Sequence, residues 1–225
     1  MENLKAEINS FLEANQNSFK AERMKAYMKG RFTYFGINAP TRKTFFKSFW
    51  AKNKSEILPQ WEKLTKWLWQ QNEREYQYIA MEIIGKIEKK LTIKHEPLIR
   101  SFIIQKSWWD TVDFLASHGI GQILKDNTEL QMKYVDQYMS SDDLWLQRTA
   151  LIFQLFYKQK TNKDLLFAMI DATLGSKEFF INKASGWALR QYSRVNPALV
   201  KQYIDYQRPN LSNLTIREGS KYLND

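Results

Sequence analysis

The sequence predicts an all-α protein built from repeated pairs of helices. Only four valines occur in 225 residues, and no run alternates apolar and polar residues between turn-forming residues as strands do. Apolar residues instead recur every three to four positions, which is the spacing of one face of a helix. Helical stretches of this kind follow one another along nearly the whole chain.

The N-terminal part, about residues 1–70, is predicted to form four helices. Proline at a first helical turn and glycine after a last turn mark their ends. The expected bounds are residues 2–16 for the first helix, Phe19–Met28 for the second, a start at Pro40 for the third and a start after Pro59 for the fourth.

From about residue 71 to residue 210 the helices repeat in pairs. An aromatic residue recurs in the first helix of each pair, at Tyr76, Trp109, Trp145 and Phe180. A leucine recurs in the second helix, at Leu98, Leu130, Leu165 and Leu199. The period of 32–36 residues is typical of a helical-repeat solenoid, in the range shared by tetratricopeptide and short HEAT-like units. We therefore expect one α-solenoid domain over residues 1–225.

Aligning the repeats on their aromatic residues singles out one carboxylate. The position four residues later holds Ala80, Asp113, Thr149 and Ala184. The position before it holds Ile79, Val112, Arg148 and Lys183, so it changes from apolar to cationic. Trp109 and Asp113 share a helical face, and an aromatic ring beside a carboxylate suits a cation. The alternative is a core tryptophan beside a solvated or capping aspartate.

The positive charge of the chain is concentrated in two blocks. The chain carries a net charge of +10, of which +9 lies between Lys20 and Lys54 and +4 between Lys177 and Arg208. Two basic blocks separated by a slightly acidic middle are typical of a protein that binds a long polyanion. A generally basic surface is the alternative.

Several functional classes lack the residues they require. The absence of cysteine excludes disulfides, thiolate nucleophiles and zinc–thiolate sites. His95 and His118 have no neighbours at ligand spacing, so we assign them structural or solvent roles and expect neither a metal nor another cofactor. The first residues do not form a signal peptide, and no run of eighteen apolar residues occurs. We expect a cytoplasmic protein.

Five segments of the chain resemble the AlkD-type DNA alkylation repair glycosylases, which are HEAT-like repeat proteins. They are residues 20–29, 106–113, 145–148, 153–160 and 176–192. The resemblance implies a right-handed HEAT-like solenoid of antiparallel helix pairs that binds double-stranded DNA. It also implies excision of cationic N3- and N7-alkylated purines, as the first step of base excision repair and without base flipping. This function would associate the cytoplasmic protein with the nucleoid.

The resemblance assigns roles to residues of this sequence. It implies that Asp113 is the catalytic carboxylate, with Trp109 and Trp187 as aromatic walls. It further implies that Arg148 contacts a phosphate near the lesion and that Tyr27 belongs to an N-terminal helix that touches DNA. Helical periodicity adds Lys158, Arg190 and Arg194 as contacts to the DNA backbone.

Three functions are compatible with these patterns. The first is a glycosylase that acts as a monomer on double-stranded DNA. The second is a catalytically silent DNA-binding solenoid for branched or damaged DNA, which would have no use for Asp113. The third is a protein-interaction scaffold, which would leave the two basic blocks unexplained.

Overall fold

The computed structural model describes residues 1–223 and confirms the all-α, helical-repeat fold class. Apart from an isolated bridge between Thr33 and Glu73, no β-structure occurs in these residues. The chain divides into two compact units, Met1–Ile87 and a second that begins at Glu88. The expectation of one domain over residues 1–225 remains a prediction. None of the helices described has the length and apolar character needed to cross a bilayer.

The first unit contains the four expected N-terminal helices and, after them, the first helix of the repeats. They are α1 (Glu2–Ala14), α2 (Ser18–Tyr27), α3 (Ala39–Ile57), α4 (Trp61–Gln70) and α5 (Arg74–Ile87), with a 3-10 turn at Leu58–Gln60. Helix α1 ends two residues before its expected end at residue 16. The reason is that Asn17 has an extended backbone and caps α2, its side chain accepting a hydrogen bond from the backbone N–H of Lys20.

The loop between α2 and α3 is held by a buried carboxylate. Glu75 is fully buried and accepts hydrogen bonds from three consecutive backbone N–H groups, those of Phe35, Gly36 and Ile37, at 2.9–3.1 Å. Gly36 has a φ of +88°, and a Cβ atom there would lie 2.1 Å from the carbonyl oxygen of Asn17. The loop therefore has a fixed path although it is not helical.

The second unit continues the helix pairs. Its helices are α6 (Glu96–Ile104), α7 (Trp109–Phe114), α8 (Gly121–Leu124), α9 (Thr128–Met139), α10 (Leu144–Ile152), α11 (Lys163–Asp171), α12 (Phe179–Ser193), α13 (Pro197–Gln207) and α14 (Asn213–Gly219). Four 3-10 turns lie at Glu88–Lys90, Ile93–His95, Lys158–Lys160 and Ser220–Tyr222, and a π-helical segment at Leu115–Ile120 joins α7 to α8.

The repeat found in the sequence coincides with the helices. Each repeated leucine is the third residue of its helix, in α6, α9, α11 and α13, and each repeated aromatic residue lies within the first three residues of α5, α7, α10 or α12. Asparagine sets this register in three pairs, because its side chain accepts a hydrogen bond from the backbone N–H of the leucine. These pairs are Asn127 with Leu130, Asn162 with Leu165 and Asn196 with Leu199.

The residues compared across the repeats differ in burial as their chemistry suggests. Ala80, Thr149 and Ala184 are completely buried, whereas the side chain of Asp113 is 19% exposed. The equivalent position is therefore part of the core in three repeats, and in the fourth it holds a carboxylate that solvent can reach.

Candidate active site

Helix α7 positions the predicted carboxylate. In the segment 106–113 the helix begins only at Trp109, because Lys106 has a φ of +50° and Trp108 is extended. The α-helix then changes to the π-helical segment Leu115–Ile120, a type of irregularity that is frequent at functional sites. Ser117, within that segment, donates a hydrogen bond of 2.7 Å to the backbone carbonyl of Asp113.

Helices α7, α10 and α12 together line a cleft of about 310 Å³ in the second unit. Its lining residues are Trp109, Asp113, Arg148, Phe179, Lys183, Trp187 and Arg190. The cleft therefore brings together the proposed catalytic carboxylate, both proposed aromatic walls and two of the proposed DNA-binding arginines. It also contains Phe179 and Lys183, which the sequence analysis did not assign to the site.

Asp113 forms a bidentate ion pair with Arg148. The Nε of Arg148 donates to one carboxylate oxygen at 2.7 Å and Nη2 donates to the other at 2.9 Å. The Nη1 of Arg148 donates to the backbone carbonyl of Phe180 at 2.6 Å. The arginine side chain is only 3% exposed, so the carboxylate is the more accessible partner.

This ion pair partly offsets the effect of burial on Asp113. Burial raises the pKa of Asp113 above its ordinary value because it penalises the charged form. The hydrogen bonds and the positive charge of Arg148 act in the opposite direction, and the negative charge of Asp110 raises the pKa slightly further. Arg148 thus favours the ionised form of Asp113 and fixes the orientation of its carboxylate.

One face of α12 also lines the cleft. Lys183, Trp187 and Arg190 follow one another at i, i+4 and i+7, so they project from the same side of the helix. Glu218 of α14, whose side chain is 6% exposed, binds both cations, Lys183 at 2.7 Å and Arg190 at 2.8 Å. The hydrogen bond from Lys183 is the main reason that the pKa of Glu218 lies below its ordinary value.

Three of the predicted DNA-binding residues lie outside this cleft. Arg194 is exposed, with its guanidinium 4.3 Å from the ring centre of Tyr222. Lys158 is exposed and has a φ of +54°. Tyr27 is the last residue of α2 in the first unit and is 69% exposed. Their contacts with DNA stay predictions, as does the phosphate contact of Arg148, whose guanidinium is engaged by Asp113 and Phe180.

The repeat pattern could have indicated two of the unassigned residues of the site but not the third. Lys183 occupies the repeat position of Arg148, and Phe179 precedes the repeated Phe180, so the repeat alignment contained a signal for both. Glu218 lies in α14, beyond the recognisable repeats. No feature of the sequence connects it with Lys183, which is 35 residues away.

The two histidines have partners within the second unit. The Nδ1 of His95 accepts a hydrogen bond of 2.9 Å from the backbone N–H of Thr92, and the Nδ1 of His118 lies 2.9 Å from a carboxylate oxygen of Glu88. Within residues 1–223, no group of three or more metal-binding side chains comes together.

Comparison with known proteins identifies the family. The family model for DNA alkylation repair enzymes matches residues 8–223. A solved structure described as a predicted DNA alkylation repair enzyme from Enterococcus faecalis is 33% identical, with a TM-score of 0.85, and the match covers 93% of this chain and 97% of that one. The structure of smu.31 from Streptococcus mutans is similar in fold, with a TM-score of 0.57 at 18% identity, over 81% of this chain and 98% of that one. No curated protein matches. The chain belongs to the DNA alkylation repair enzyme family.

Proposed function

We propose that this protein is a DNA glycosylase that releases cationic N3- and N7-alkylated purines from double-stranded DNA. The observation that carries the proposal is the arrangement of Asp113, a partly exposed carboxylate oriented by the buried Arg148 in a cleft that Trp109 and Trp187 also line. Membership of a DNA alkylation repair family supports a repair reaction on DNA.

One carboxylate suffices for this reaction. The alkylated purine is already positively charged, so it leaves as a neutral base when the glycosidic electron pair goes with it. Positive charge then develops on the deoxyribose, and a carboxylate stabilises that charge. Water adds at C1′ and releases its proton. Glycosidases with neutral leaving groups need a second, protonated carboxyl group, which this substrate makes unnecessary.

The ion pair with Arg148 is compatible with this role. The pair is neutral overall but has a dipole, and the more exposed end is the carboxylate of Asp113. Each carboxylate oxygen accepts one hydrogen bond from Arg148 and keeps further acceptor capacity. Asp113 can therefore hold a water molecule while its orientation stays fixed.

The aromatic walls favour the cationic nucleotide. Trp109 of α7 and Trp187 of α12 line the same cleft as the carboxylate of Asp113. A cation over an indole ring gains about 0.5–2 kcal/mol, depending on how far it is desolvated. The cleft is open and lies at the surface, which suits an approach to the nucleotide from the DNA backbone without base flipping.

Helix α2 is suited to contact DNA. It has no buried residue, and it exposes Phe19 and Tyr27 at 71% and 69%. Lys20 and Arg23 on the same helix are exposed, as are most cations of the first basic block, although Arg42 is buried and pairs with Glu82. Binding through such cations should be largely independent of sequence and should weaken strongly with salt.

A silent DNA-binding protein is the second candidate, and the basic blocks favour it equally. It would not need a carboxylate in the cleft, because an acidic group weakens the attraction of DNA. The position of Asp113 beside two tryptophans therefore favours the glycosylase.

The test is the release of free 7-methylguanine and 3-methyladenine from methylated duplex DNA. We expect release by the natural protein, and binding without comparable release by Asp113→Asn. Asp126→Asn is the matched control, because Asp126 is exposed and pairs with Lys160 outside the cleft. Tight DNA binding by the natural protein without release of either base would reject the glycosylase for these substrates. Equal rates for Asp113→Asn and the natural protein would reject the role of the carboxylate.

A further inference from the structure

A second carboxylate, that of Glu218, organises the part of the cleft that α12 lines. Glu218 is buried and binds Lys183 and Arg190, both of which line the cleft. We propose that Lys183 and Arg190, held on the shared carboxylate of Glu218, form a subsite that binds one phosphodiester group of DNA. The inference rests on the proposed function in one respect, namely that DNA occupies this cleft.

The backbone brings Glu218 to this place. Helix α14 packs against α12, and the two helices approach each other closely at Gly186. A Cβ atom on Gly186 would lie 2.6 Å from the Cβ of Glu218 and 2.9 Å from the carbonyl oxygen of Thr215. Gly186 lies between Lys183 and Arg190 in the helix, so this close contact puts Glu218 within reach of both cations.

The charges left in the cleft select an anion. Asp113 and Arg148 neutralise each other, and Glu218 neutralises only one of the two cations it binds. A third cation, Lys221, lies 3.9 Å from the same carboxylate and is more exposed. The α12 side of the cleft therefore keeps a net positive charge. A phosphodiester has one negative charge and two oxygen acceptors, which matches the N–H groups of one lysine and one arginine.

Glu218 acts as a positioning residue. Lys and Arg side chains have many rotamers and lose conformational entropy when they are immobilised. The ion pairs with Glu218 restrict both side chains before DNA arrives, so less of that cost remains at binding. Glu218 itself, at 6% exposure, does not need to touch the DNA.

The first experiment measures affinity for unmodified duplex DNA as a function of salt. Each phosphate contact contributes about 0.9 to the slope of log K against log salt concentration. Because the two side chains share one phosphate, we expect Lys183→Met and Arg190→Met each to lower the slope by part of that amount, and the double variant to lower it by about the whole. Lys163→Met is the control, because Lys163 is exposed and pairs with Asp164 outside the cleft, and its slope should equal that of the natural protein. Unchanged slopes for folded Lys183→Met and Arg190→Met would overturn the proposal.

The second experiment tests Glu218 by a double-mutant cycle on the same DNA. If Glu218 positions Lys183, Lys183→Met will weaken binding by a smaller factor in the Glu218→Gln background than in the natural background. An equal factor in both backgrounds would overturn the positioning role. A merely structural role would lower the melting temperature of Glu218→Gln and leave the two factors equal. Because unmodified DNA is used, the outcome does not depend on whether the protein excises any base.

Discussion

The ion pair between Asp113 and Arg148 makes Arg148→Met the most informative substitution in the cleft. The change removes three hydrogen bonds, two to Asp113 at 2.7 and 2.9 Å and one to the carbonyl of Phe180 at 2.6 Å. Methionine keeps much of the apolar stem of arginine. The main effect is therefore the loss of the partner of a mostly buried carboxylate.

Arg148→Met should lower the free energy of unfolding considerably at neutral pH. Removing one partner of a buried ion pair typically costs about 3–5 kcal/mol. Because the side chain of Asp113 is 19% exposed and can recruit water, we expect a value near the lower end, about 3 kcal/mol. Urea unfolding of the two proteins at neutral pH measures this difference.

The stability lost in Arg148→Met should depend on pH in a definite direction. Burial already raises the pKa of Asp113, and Arg148 opposes that effect, so the substitution raises the pKa further. A carboxyl group whose pKa is raised on folding stabilises the protein most below its unfolded pKa, and this stability is lost as pH rises through the folded pKa. The penalty of Arg148→Met should therefore shrink on acidification, and the acidic limb of the excision profile should move to higher pH.

A second substitution separates the charge from the packing. In the Arg148→Met background, Asp113→Asn removes the unpaired charge and should recover part of the lost stability. A penalty that is the same at neutral and acidic pH, together with no recovery by Asp113→Asn, would refute the reasoning. The loss would then come from packing alone.

Three further predictions concern the rest of the second unit. Gly186→Ala should destabilise the protein by about 1–3 kcal/mol, because its Cβ would press on the backbone of α14, and thermal unfolding measures the loss. Tyr138→Phe removes a buried hydrogen bond of 2.6 Å to Glu96, and it should lower the free energy of unfolding in urea by about 1.5–3 kcal/mol. A change near zero would contradict a stabilising role of that bond. Since the pKa of Glu218 is lowered on folding, its contribution to stability is present above the unfolded pKa of about 4.3 and is lost as pH falls through the folded value. Glu218→Gln should therefore flatten the loss of stability with acid, and an unchanged acid profile would contradict this.

The amino-acid sequence by itself determined the helices, their pairing and the repeat. Asparagine caps, first-turn prolines and the 3.6-residue period are local features, because they depend on residues close together in the chain. The repeat also made Asp113 stand out, because the corresponding positions hold Ala80, Thr149 and Ala184, which are buried. Periodicity placed Trp109 beside Asp113 for the same local reason.

Only the tertiary structure decided which partner each charge would take. Arg148 is 35 residues from Asp113 in the chain. The sequence alone does not show whether its guanidinium binds a carboxylate of the protein or a phosphate of DNA. The fold buries Arg148 against α7, where an uncompensated charge would be costly, and so it pairs with the carboxylate. Glu218 reaches Lys183 and Arg190 for a similar reason, since Gly186 lets α14 approach α12 closely. Side-chain partners depend on distances of a few ångströms between elements, and a sequence pattern specifies faces of helices but not those distances.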